Sequence, residues 1–121
     1  MTTKEKRFGH CVADKIYCIK QFEYLGIDKT YTGYFMLIDV VNIVISQNKK
    51  ILSFSMEVYP LVASRFDKNV YTIERNIRNL IDKCWCEELR TKLNATEFEN
   101  KKPTCKEFIY LIIGFILNQI S

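Results

Sequence analysis

Apolar residues recur along this chain at three- and four-residue steps, the period of helices buried on one side. From Cys11 to Leu25 they fall at Val12, Ile16, Ile19, Phe22 and Leu25, which predicts one helical face, and Gly26 supplies its stop. Between Tyr31 and Gln47 the run Val40-Val41-Asn42-Ile43-Val44-Ile45 has the β-branched character of a buried strand. The segment is too long for one. As a helix it lines Asp39, Asn42 and Ser46 along one stripe and sets Tyr34, Leu37, Val41 and Val44 away from it. The pattern therefore predicts a central helix buried on more than one side.

Asn48-Lys49-Lys50 reads as a solvated turn. Ser53 or Ser55 then offers an N-cap to a helix from Phe54 to Phe66, which Pro60 must kink or restart because its ring lacks an N–H. Asp67-Lys68-Asn69 makes a tight polar turn, with Asn69 as N-cap to a longer helix running from Val70 to about Cys86. A short helix from Glu87 to Leu93 and a polar connector from Asn94 to Lys102 follow. Thr104-Cys105-Lys106-Glu107, directly after Pro103, is a capping box and starts a last helix that is apolar nearly all round from Phe108 to Ile120.

The helix from Val70 has two distinct sides. At about 100° per residue, Ile73, Ile77, Leu80, Ile81 and Cys84 cluster toward a core. The opposite side presents Tyr71, Thr72, Arg75, Arg78 and Asn79, with Asp82 and Lys83 further along. Arg and Asn carry donors and acceptors that match the edges of guanine and adenine in the major groove. In a helix-turn-helix, the N-terminal turns of the second helix do this reading. The preceding helix suits the motif, since Val62 and Phe66 point inward around small Ala63 and allow a close crossing. No Gly stands in the turn, so Asp67 to Asn69 must supply its geometry.

Composition narrows the picture without changing it. With 121 residues, four Gly and two Pro, the chain suits one helical domain, residues 11–121, behind a flexible segment, residues 1–10. A formal net charge of +4 permits a polyanionic partner without demanding one. The opening Met1 to Arg7 has no apolar signal-peptide core, and the run Phe108 to Leu117 falls far short of the ~20 residues that span a bilayer. A cytoplasmic protein without membrane contact is expected. Five cysteines with no C-x-x-C spacing predict free thiols rather than disulfides or a zinc site, and Cys84, facing the core, is expected to be inert. His10 is the single histidine, and no Ser/His/Asp, Cys/His or Gly-rich phosphate-loop arrangement is visible. No catalytic residue, cofactor or metal is predicted.

The stretch Tyr59-Pro60-Leu61-Val62-Ala63-Ser64-Arg65-Phe66, with Ile73-Glu74-Arg75-Asn76-Ile77-Arg78 and Trp85, resembles the DNA-binding effector domain of the master response regulator of endospore formation. The likeness extends to Gly33-Tyr34, to Lys102-Pro103-Thr104 and to Glu107-Phe108, covering roughly Cys11 to Leu117. It implies an all-α, compact bundle of about six helices around a helix-turn-helix, of the winged-helix and response-regulator effector type. It also implies a double-stranded DNA partner, head-to-tail pairs on a guanine-containing box, and control of sporulation genes. In that family the domain follows a phosphorylatable receiver, so the resemblance implies a stand-alone relative.

By the same resemblance, Arg75 meets a guanine, Glu74 accepts from a cytosine amino group, and Arg78 lies nearer phosphate. Thr72 stands where the family places an Arg. The connector between Trp85 and Pro103 is shorter than in the family, and the end Asn118-Gln119-Ile120-Ser121 lacks the family's basic tail. Altered or reduced sequence preference is implied.

Two functional readings follow. In the first, the protein is a sequence-specific regulator with Thr72, Glu74, Arg75, Arg78 and Asn79 at base edges and Arg65, Lys68, Tyr71 and Lys83 toward phosphates. In the second, it is an interaction module that homodimerises or pairs with the full-length sporulation regulator. There the apolar helix 104–120 would supply the contact instead of being buried as core.

Overall fold

The computed structural model describes residues 12–47 and 51–120. They form α1 (Val12–Leu25), α2 (Tyr34–Gln47), α3 (Phe54–Glu57), α4 (Tyr59–Phe66), α5 (Val70–Cys84), α6 (Glu87–Lys92) and α7 (Cys105–Ile120), with a 3-10 turn at Thr96–Phe98. No strand occurs among the described residues, and the fold is all-α as expected. The segment 1–10 and the turn at 48–50 lie outside the described residues.

Local side chains set most helix ends. Gly26, Asp67 and Asn94 adopt left-handed backbone, with φ of 82°, 55° and 56°. In each case the following N–H returns to a carbonyl five residues back: Ile27 to Phe22 at 3.0 Å, Lys68 to Ala63 at 2.9 Å, and Ala95 to Arg90 at 3.0 Å. Asp67 thus takes the place of the Gly missing from the helix-turn-helix, because a short polar side chain tolerates this conformation. At the opposite ends, Ser53 Oγ accepts from the Met56 N–H at 3.3 Å and Asn69 Oδ1 from the Thr72 N–H at 2.8 Å. The capping box closes in both directions, with Glu107 N–H donating to Thr104 Oγ1 and Thr104 N–H to Glu107 Oε1.

The helix from Phe54 to Phe66 restarts, as Pro60 requires: it divides at Val58, with Pro60 in the first turn of α4 where its missing N–H breaks no bond. Three expectations need correction. The central helix starts at Tyr34, not Tyr31, because the Asp28 carboxylate holds the Thr30 N–H and hydroxyl in a turn at 2.9 Å each. The helix foreseen to Cys86 ends at Cys84, since Trp85 is extended. On α1 the buried line is Cys18, Phe22 and Leu25, which leaves Ile16 49% exposed.

α2 occupies the centre and packs against α1, α4, α5 and α7. From Tyr34 to Val44 every residue except Phe35 is buried. Gly33 lies at the tightest point, where an added Cβ would stand 2.5 Å from the Asn76 carbonyl oxygen of α5. Only glycine lets the start of α2 approach that backbone so closely. On α7, Phe108, Ile109, Ile112, Ile113 and Ile116 enter the core. Part of the remainder is covered by aromatic contacts, Phe115 stacking on Tyr24 at 5.8 Å and Tyr110 meeting Phe54 edge-on at 5.7 Å.

Candidate nucleic-acid interface

The packing that orients α5 is the one its periodicity predicts: Ile73, Ile77, Leu80, Ile81 and Cys84 are buried. Each fully buried branched side chain contributes about 1.5–3 kcal/mol to holding the helix in place. With that side committed to α2, α4 and α7, the opposite side is left outward.

Tyr71, Arg75, Arg78 and Asn79 are all exposed there, Tyr71 by 61%. The Arg75 guanidinium lies over the Tyr71 ring, 5.3 Å from its centroid, a contact that limits the freedom of a long side chain. Glu74 and Arg78 form one edge of the face, paired at 3.6 Å between Oε1 and Nη2 one helical turn apart. Thr72 and Lys83 form the other edge. Thr72 is half-buried with its N–H on the Asn69 cap, and Lys83 places its amine 5.6 Å from the centre of the Tyr31 ring. Lys68 stands exposed in the turn before α5.

Arg65 is set apart from this group. Its guanidinium donates to the buried Asp39 carboxylate of α2, which also lies 3.7 Å from the Lys15 amine of α1. Arg65 therefore ties α4 to the centre of the bundle while remaining about half exposed. Asn76 also turns away from the outward face and donates to Met36 Sδ at 3.6 Å.

Several neighbours of the face were not foreseen. Asp82 is paired with Lys102 at 3.1 Å, and a groove of about 580 Å³ runs between α5, the α3 to α4 segment and residues 103–106. Lys102 and Thr104 stand in a recognisable local motif, yet nothing in that motif signals which helix they meet. Burial pushes the Cys84 thiol up to about 12 and raises Cys105 as well, so both stay protonated, while Cys86 is exposed beyond the end of α5. Burial likewise raises the Tyr59 phenol.

Among the described residues no helix is long and apolar enough to cross a membrane. The family described as Sporulation initiation factor Spo0A C terminal matches residues 18–116, which run from α1 through the helix-turn-helix into α7. Its members are all-α, DNA-binding sporulation-regulator domains rather than enzymes. With most of its length matched, including both helices of the motif, this chain belongs to the Spo0A C-terminal domain family.

Proposed function

We propose that this protein is a sequence-specific, DNA-binding transcriptional regulator linked to sporulation, which lays α5 in the major groove of double-stranded DNA. The observation that carries this is the outward face of α5. Tyr71, Arg75 and Asn79 stand exposed on the helix that follows the Asp67 turn, opposite a wholly apolar buried side. Arg75, steadied on Tyr71, matches the paired acceptors of a guanine, and Asn79 matches the acceptor and donor of an adenine. Thr72 and the Glu74–Arg78 pair reach base edges from either side. Lys68, Tyr71 and Lys83 lie toward phosphates, with Arg65 behind them on its Asp39 anchor.

Selection of bound sequences from a random duplex pool, at a stated salt concentration, tests the reading. Enrichment of a short box is expected, with Arg75→Ala weakening its binding about tenfold or more, the effect of losing one bidentate base contact. Binding that ignores added salt and survives Arg75→Ala sinks the proposal. Pairing through α7, with a second copy or with the full-length regulator, has less to support it. Five of that helix's apolar residues lie in the core, leaving Tyr110 and Leu117 as its exposed large apolar residues among the described residues. A monomeric mass by light scattering at high concentration argues against self-pairing.

A further inference from the structure

The groove beside α5 is walled by Glu74, Arg78 and Asp82 on one side and by Ser55, Thr104 and Lys106 on the other. Its charges are unevenly matched. Each carboxylate is held by a cation, Glu74 by Arg78 at 3.6 Å and Asp82 by Lys102 at 3.1 Å. Lys106 is exposed and forms no ion pair among the described residues, so these side chains carry one excess positive charge. Exposed Ser55 lines the same space. The capping box already engages the N–H groups of Thr104 and Glu107, so the donors that count here are side chains and not the end of α7.

We infer that this groove receives the sugar-phosphate backbone of one DNA strand, with Lys106 and Ser55 donating to phosphate oxygens. The inference rests on the reading of α5 given above. Continuity points to a strand rather than a free anion: Glu74 and Arg78 belong both to the outward face of α5 and to the groove wall. A duplex seated on that face therefore brings one strand to the rim. Glu74, Arg78 and Asp82 follow one another at four-residue steps, so the wall runs along about 12 Å of helix. That length suits a row of phosphates better than a point site. The contact is independent of base sequence and sensitive to salt.

Binding of the full chain to its selected box and to an unrelated duplex, over a salt series, tests the assignment. Lys106→Gln is expected to weaken binding to both duplexes by the same factor. It should also reduce the slope of log affinity against log salt by about 0.9, the value for one lost phosphate contact. Ser55→Ala, which removes a neutral donor, is expected to weaken both duplexes by a smaller common factor and leave the salt slope unchanged, and the preference for the box stays at its wild-type value in both variants. Lys20→Gln removes the same charge from α1 and is expected to change the slope less. An equal change there reduces the effect to net charge and overturns the groove. Wild-type affinity and slope in Lys106→Gln and Ser55→Ala, with box binding lost in Arg75→Ala, overturn the groove and leave the α5 reading standing. Absence of salt-dependent binding by the wild type removes both.

Discussion

The two helices that meet at Gly33 aim their polar side chains in opposite directions. α2 turns Asp39 and Asn42 inward, where they are 3% and 1% exposed, and uses them to hold its neighbours. Asp39 binds Arg65 of α4, while Asn42 donates to the Ile38 carbonyl at 2.8 Å and reaches Cys18 Sγ of α1 at 3.7 Å. α5 fully buries only apolar residues and Cys84, tucks half-buried Asn76 against Met36 of α2, and sets Tyr71, Arg75 and Asn79 outward, where water satisfies them. A buried polar group gains from a partner within the protein, which Asp39 Oδ1 finds in Arg65 and the Asn42 amide nitrogen in Ile38 and Cys18, although Asp39 Oδ2 and Asn42 Oδ1 are buried without one; an exposed group has water. Polar positions on α2 therefore report how the bundle is assembled. Those on α5 report what it can touch.

Substitutions on the two helices test this contrast. The largest loss is expected from the inward side of α5, where Ile77 is fully buried. Ile77→Ala should cost about 2–5 kcal/mol in urea unfolding, with transfer and cavity terms adding. Asp39→Ala follows at roughly 1–3 kcal/mol, reduced because the half-exposed Arg65 can turn to water. A double-mutant cycle with Arg65→Ala should return a coupling comparable to that loss, and additive effects would break the claim that α2 uses polar groups as fasteners.

Arg75→Ala, on the outward side of α5, is expected to change stability by less than about 0.5 kcal/mol while costing box binding. A large stability loss would show that this face belongs to the bundle after all.

The smallest effect concerns Cys84. Its thiol is raised by burial from an ordinary 9.0 to about 12, so its contribution to stability is complete below pH 9 and is lost as the pH rises toward 12. Alkylation of the folded protein at pH 8 should label exposed Cys86 and spare Cys84. Equal labelling would mean that the end of α5 opens readily.

What was legible in the sequence is what neighbours along the chain decide. The α5 start, its Asn69 cap, its five buried positions and the Thr104–Glu107 box all depend on residues within one or two helical turns, and all appear as read. The outward set from Tyr71 to Asn79 was legible for the same reason: the helical period assigns each residue a side. That Asp67 would close the turn without glycine was also written locally, in a short polar residue next to Asn69.

Tertiary structure decided everything that joins distant segments. The Asp39, Asn42 and Ser46 stripe has the pattern of a wetted surface, and only packing against α1 and α4 shows that Asp39 and Asn42 lie inside, Asp39 on an Arg65 partner 26 residues away. α7 is apolar on nearly every side, so periodicity could not select which residues enter the core. The position of α2 did, burying Ile109 and Ile113 while leaving Tyr110 and Leu117 exposed. The groove between α5 and Lys106 exists because α3, α5 and α7 converge, a fact that no local pattern carries. Periodicity is a property of one helix at a time, whereas burial, ion pairs across the bundle and the shape of an interface depend on which helices meet.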